Sequence, residues 1–297
     1  MNKMESSFGG KNMLVLPEPT VIHPQAPLPP SGNVLTRALK AVLVERRMPY
    51  SARCALDAFM MKIGFQEKTI RTSDGLYFRV RRCHDTGSGD EAVVQDVVEE
   101  KRYLLEVKLP PDATVIDIGG NIGAFAVLAA KLAPAGQVIS IEPEQGNLAL
   151  LKTNVLLNNV ADRVTVINGA VVGGSVLRKV QLSVSSNGGA YHSTATLLES
   201  NLRQTVDGYP LDAIFENTVG RCNLLKLDCE GAEYEIFEGF SYWSCVDAIV
   251  MEYHAQTIAY KRNRGDWLVK KFKENGFHIV RYTDEVGFRS GHIVAVR

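Results

Sequence analysis

The sequence predicts an α/β fold on a mostly parallel sheet, and three observations carry that prediction. After Pro110-Pro111 the chain alternates strand, glycine-rich turn, helix, strand and helix at the spacing of βαβ units. The segments Val115 to Ile118, Gln137 to Ile141, Val164 to Ile167, Leu224 to Leu227 and Ala248 to Met251 read as strands. The last two strands, His278 to Arg281 and His292 to Val296, have no helix between them and so read as an antiparallel hairpin.

The elements follow in order. Residues 1–33 contain Pro17, Pro19, Pro24, Pro27, Pro29 and Pro30, a density that excludes a regular helix and predicts a flexible arm. Residues 34–109 form a cap. Val34 to Val44 is helical, with Leu35, Leu39, Val42 and Leu43 on one side. A second helix follows Ser51, whose hydroxyl can cap it, and ends near Gly64. Thr69 to Arg82 alternates around Asp74-Gly75 as a hairpin, Thr86 to Asp90 is a loop, and Glu91 to Glu106 is helical. Residues 110–297 form the sheet domain, with helices over Ile122 to Leu132 and Asn147 to Leu157. No internal repeat occurs.

A chain of 297 residues with 45% hydrophobic residues has room for one large α/β domain or two modest ones. Lys plus Arg and Asp plus Glu are 33 each, a balance that argues against general nucleic-acid binding, because every neutralised phosphate needs a cation. No run of about 18 apolar residues occurs, so no membrane-spanning helix is expected. Without a signal-peptide pattern at Met1 to Asn33, a cytoplasmic location is expected. The cysteines Cys54, Cys83, Cys222, Cys229 and Cys245 are scattered without a CxxC pair, which indicates neither a zinc knuckle nor a redox motif.

Chemistry concentrates at strand ends. In Val115-Ile116-Asp117-Ile118-Gly119-Gly120-Asn121-Ile122-Gly123 an apolar strand runs through glycines into a helix, so backbone can approach a ligand without an intervening Cβ. The spacing is not the GxGxxG of a dinucleotide site, and an acid at Asp117 would repel a pyrophosphate. It suits a ligand with an ammonium group and a sulfonium, which is S-adenosylmethionine. Glu142 lies about twenty residues past the glycine turn, where an acid accepts ribose hydroxyls, and Pro143 fixes the turn into the next helix. Asp228 and Glu230 end a further strand at the same sheet edge, and such crowding calls for a cation, a sulfonium or hydrogen bonds. Glu233 and Glu235 both admit a solvated helix face, and that reading is preferred for Glu235 alone. In Val250-Met251-Glu252-Tyr253-His254, His254 is the one histidine placed beside this edge, a candidate base near neutral pH. Asp228, Glu252 and His254 are the candidate ligands for a divalent metal. His84, His192 and His292 receive no role.

The runs VIDIGGNIG, IEPEQGN, LLKLDCEGAEYEIFEGF and VMEYH together resemble the FkbM family of S-adenosylmethionine-dependent methyltransferases, over roughly Asp90 to Arg297. The resemblance implies the Rossmann-like class I methyltransferase fold with a seven-stranded sheet, and O-methylation of a sugar or natural product. It also implies that Asp117, Gly119 and Asn121 contact the donor's methionine part, Glu142 the ribose and Asn168 the adenosine, with Gly120, Gly123 and Pro143 shaping the same site. Asp228 would border methyl transfer. The family more often has alanine at Gly120, which reads as a conservative departure.

The expected mechanism gives proton removal to Asp228 or His254, with Glu252 as orienter. A nicotinamide-dependent oxidoreductase and a non-catalytic adenosine-binding module are the alternatives. The expected partner is a small-molecule hydroxyl acceptor, and a homo-oligomer stays open. Ser185 to Pro210 reads either as a lid over the acceptor or as a polar loop between edge strands. Trp243 and Tyr253 are candidates for a sugar-stacking face, with buried aromatic packing the preferred reading for Trp243.

Overall fold

The computed structural model describes residues 50–82, 89–184, 192–193, 203–218, 220–254, 265–285 and 290–297. Its centre is β3 (Thr114–Ile118), whose last four residues are all buried. β3 lies between β4 (Gln137–Glu142) and β10 (Leu224–Leu227), in a seven-stranded sheet ordered β12-β13-β11-β10-β3-β4-β5. β5 (Val164–Asn168), β4, β3, β10 and β11 (Ala248–His254) run parallel. β12 (His278–Glu285) and β13 (Ser290–Val296) close the other edge as the expected antiparallel pair. Helices flank the parallel strands, since a parallel sheet needs apolar cover on both faces. Ile116, Ile118, Leu225, Leu227 and Met251 pack into one core with Phe237, Trp243 and Phe272. Val115, Val138, Leu224 and Val250 pack into the other.

The segment before the sheet shares that second core. α1 (Tyr50–Lys62) precedes the hairpin of β1 (Glu67–Arg71) and β2 (Tyr77–Arg81), and Gly75 takes the left-handed φ of 85° that its turn requires. Phe78, Val80, Val94 and Val98 are buried with Val127, Ala130, Leu151 and Val155 of the sheet's helices. Two asparagines of α4 (Gln145–Leu157) and the turn after it complete the outer edge of β2. Asn154 accepts from the Arg79 N–H at 2.6 Å and donates to the Arg79 carbonyl at 3.1 Å. Asn158 does the same for Tyr77, at 3.0 and 2.6 Å. Each side-chain amide therefore stands in for a neighbouring strand, and removing one would strand two backbone groups at about 1–3 kcal/mol each.

Local expectations need four corrections. Ser51 lies inside α1, so its hydroxyl is not the cap. The helix expected from Glu91 to Glu106 is shorter: α2 (Asp90–Val94) runs into a π-helical turn (Gln95–Glu99), after which the chain leaves helical geometry. Part of Ser185 to Pro210 is strand. β6 (Ala170–Val172), β7 (Arg178–Val184), β8 (His192–Ser193) and β9 (Arg203–Pro210) form a four-stranded sheet ordered β6-β9-β7-β8, and α5 (Leu211–Thr218) leads back to the main sheet. The rest of that loop, and the helix expected over Val34 to Val44, lie outside the described residues. Trp243 and Tyr253 are both buried, and the Tyr253 hydroxyl bonds the Thr283 carbonyl at 3.1 Å, so neither offers a stacking face. Among the described residues no helix is long and apolar enough to cross a membrane.

Candidate active site

A cleft of about 240 Å³ opens at the carboxyl ends of the parallel strands, where ligands of open α/β sheets bind. Its floor is a cross-strand row. In register, Asp117 of β3 neighbours Ser140 of β4 and Lys226 of β10. Asp117 is fully buried, accepts from the Ser140 hydroxyl at 2.8 Å and pairs with the Lys226 ammonium at 3.1 Å. Asp117 therefore lies beneath the cleft and holds its floor, whereas the sequence pattern had it touching a ligand. Burial alone would neutralise Lys226, but the charges of Asp117 and Asp228 outweigh it. Its ammonium also donates to the Gly119 carbonyl at 2.8 Å, tying down the glycine turn.

That turn needs its glycines. Gly119 has φ of 76°, and a Cβ there would collide with the Asp228 carbonyl. At Gly120 a Cβ would collide with the Ser140 hydroxyl and press to 2.8 Å on Leu151. An alanine in its place is thus not conservative here, because Ser140 fills the space. Gly123, at φ of 84°, begins α3 (Ala124–Leu132) and packs on Leu151 without lining the cleft.

Glu142, Pro143, Gly119, Gly120 and Asn121 do line it. Glu142 accepts from the Asn121 N–H at 2.8 Å, the Glu144 N–H at 2.9 Å and the Asn147 amide at 3.4 Å. Burial outweighs these three donors and pushes its carboxyl up to about 7. Capping of α4 falls to Glu144, which accepts from Gly146 and Asn147 at 2.8 and 2.6 Å, leaving Glu142 to face the cleft. Asn168 is exposed at the end of β5, and the wall at that point is Gly169, Ala170 and Val171 instead.

At the other end Asp228, Glu230, Glu252 and His254 come together as expected, with four groups that the strand-end patterns did not indicate. Tyr103, buried after the π-helical turn, donates its hydroxyl to Asp228 at 2.9 Å. Arg102 lies 3.7 Å from Glu252, and its carbonyl accepts from Arg281 at 3.0 Å. His292, opposite Glu252 in register on β13, lies 3.4 Å from its carboxylate. Glu233 is fully buried rather than solvated and bonds His254 Nδ1 at 3.1 Å; Glu235, half-exposed, is paired with Arg178 as a surface residue would be.

These neighbours set the charges. Burial pushes the Glu252 carboxyl up, but the His292 bond and the charges of His254, His292 and Arg102 hold it down at about 2. Burial, then the charges of Asp228, Glu233 and Glu252, push Glu230 up to about 8 against the pull of His254. Asp228 is raised by burial and by Glu252. Burial favours a neutral His254, but the Glu233 bond and the charges of Glu233, Glu230 and Asp228 outweigh it and raise the ring to about 10. The expectation of His254 as a base near neutral pH is thereby corrected: it already holds a proton there. One ligand atom each of Asp228, Glu230 and His254 lies within 4.8 Å of the others, a grouping that could hold a metal ion. Glu252, expected as the third ligand, is instead engaged by His292 and Arg102.

A family model for the methyltransferase FkbM domain matches residues 117–290, more than half of the chain. Methyltransferase 1 of Beauveria bassiana is 26% identical over 185 residues, covering 54% of this chain and 72% of that protein. The 31-O-demethyl-FK506 methyltransferase FkbM of Streptomyces tacrolimicus is 23% identical over 201 residues, covering 58% and 77%. A solved methyltransferase FkbM from Methylobacillus flagellatus is 17% identical with a TM-score of 0.43, over 66% of this chain and 46% of its own length. The matched stretch thus spans less than half of that solved chain.

Proposed function

The chain belongs to the FkbM methyltransferase family, and on that premise we propose that it methylates a hydroxyl of a sugar or natural-product small molecule, with S-adenosylmethionine as donor. The observation that carries the donor reading is the pairing of charges in the cleft. The lysine and the arginine that line it, Lys226 and Arg102, are both engaged by carboxylates, which leaves an acid-rich wall. Such a wall offers a pyrophosphate no lysine or arginine that a carboxylate does not already engage, and so favours a phosphate-free ligand. The glycine turn, with its Cβ space already filled by Asp228 and Ser140, brings backbone to that ligand, and Glu142 accepts its ribose hydroxyls.

S-Adenosylmethionine supplies an already activated methyl group, so the protein's part is positioning and proton removal. Asp228 is the proton acceptor: it lines the cleft, its basicity is raised, and the Tyr103 hydroxyl holds one of its carboxylate oxygens. His254, protonated and anchored on Glu233, offsets the crowded acids. Glu252 stays ionised and holds His254, His292 and Arg102 in place. The grouping of Asp228, Glu230 and His254 favours a second reading of this end, in which a divalent cation binds there and lowers the pKa of the acceptor hydroxyl.

The test is transfer of labelled methyl groups to a panel of sugars and polyhydroxylated natural products, with and without EDTA, using D228N as control. Label appearing only with acceptor and lost in D228N supports the reading. Equal turnover by D228N removes Asp228 from the role, and inhibition by EDTA brings the cation forward. Label appearing on amines alone contradicts O-methylation.

A further inference from the structure

We propose that Arg81, outside the stretch that the family model matches, is a positioning residue of the donor site: it fixes the Asn147 amide so that its N–H is presented to Glu142. The inference rests on the reading of Glu142 as the ribose-binding acid.

Arg81 ends β2, and its guanidinium is chelated by Asp90, with Nε to Oδ2 at 2.9 Å and Nη2 to Oδ1 at 2.7 Å. Asp90, at 2% exposure, also accepts the Arg81 backbone N–H at 2.8 Å. Locked in this way, Nη2 donates to Asn147 Oδ1 at 2.7 Å. A guanidinium has only donors, so the Asn147 oxygen must face it and the amide nitrogen must face away. That nitrogen is the group 3.4 Å from Glu142 Oε1. Asn147 is 2% exposed and lines the cleft, so little water competes for either end of the amide. Without Arg81 the amide is free to turn over and set its oxygen against the Glu142 carboxylate. The cap hairpin therefore acts on the donor site through one neutral relay, although no atom of Arg81 lines the cleft.

A double-mutant cycle tests this, with S-adenosylhomocysteine as the calorimetric probe and thermal denaturation of each variant alongside. R81M and N147A are each expected to weaken binding about tenfold, the size of one well-placed hydrogen bond. The double variant is expected to bind little worse than N147A alone, because the direct charge interaction of Arg81 with Glu142 is weaker than its bond and charge interaction with Asp90, and its hydrogen bond reaches Glu142 through Asn147. A purely structural Arg81 would give additive losses instead. Where R81M does not fold, N147D serves: it keeps a partner for Arg81, removes the donor to Glu142, and is expected to weaken binding at least as much as N147A. Wild-type affinity in R81M or N147D, or additive losses, overturns the proposal. Failure of the wild type to bind S-adenosylhomocysteine overturns the donor reading as well, and that result is seen before any variant is compared.

Discussion

Glu142, buried, and Glu252, partly buried, are acids towards the carboxyl ends of parallel strands, one at each end of the same cleft, yet they shift in opposite directions. Glu142 is met by two backbone N–H groups and one amide, and burial still lifts it to about 7. Glu252 is met by two histidines and an arginine, and it stays at about 2. Neutral dipoles soften the cost of burying a carboxylate, whereas cations reverse it. On the proposed reading, Glu142 would trade these hydrogen bonds for those of the donor's ribose. The other end is a network in which His254, His292 and Arg102 surround Glu252.

The comparison breaks most readily at the transfer end. D228N is expected to lower methyl transfer by about 10²–10⁴-fold, the range of a lost general base, while affinity for S-adenosylhomocysteine changes by less than about threefold. A variant that loses donor affinity instead would merge the two ends into one. G119A should break the donor end: a Cβ at positive φ against the Asp228 carbonyl is expected to cost on the order of a hundredfold in donor affinity, read by calorimetry.

H254A leaves the fully buried Glu233 without its cation and is expected to destabilise the fold by about 3 kcal/mol in urea denaturation. An unchanged midpoint would mean that the network is not held by charge. The finest test is the pH dependence of E142Q against E252Q. Glu142 sits above its ordinary value of 4.5, so the native state keeps a proton that the unfolded chain has lost. Wild type should therefore lose stability relative to E142Q as pH rises from about 4.5 to 7, by at most about 3 kcal/mol. Glu252 is depressed, so its contribution is present above 4.5 and is lost as pH falls towards 2. Parallel profiles for the two variants would erase the contrast.

The donor end was the more legible of the two in the sequence, because its parts are local. An apolar strand, a glycine turn and an acid at the next strand end lie within Thr114 to Glu142, each with a pattern of its own. Even there the burial of Asp117 is not visible in its own strand, because pairing with Lys226 and Ser140 depends on register across three strands. The transfer end draws Tyr103, Glu233, Glu252 and His292 from segments far apart, and nothing in the neighbourhood of His292 indicates that β13 will set it opposite Glu252. The small sheet is hard to read for a related reason: the first five residues of Arg203–Pro210 are mostly polar and only one of them is buried, so the stretch Ser185 to Pro210 reads equally as a lid or as a polar loop between edge strands.

The account's central claim is that the cleft takes a phosphate-free adenosine ligand. Calorimetric titration of the protein with S-adenosylhomocysteine, and separately with NAD, tests it most directly. Saturable one-site binding of S-adenosylhomocysteine with no heat from NAD is the predicted result. Binding of NAD alone, or of neither, would contradict it.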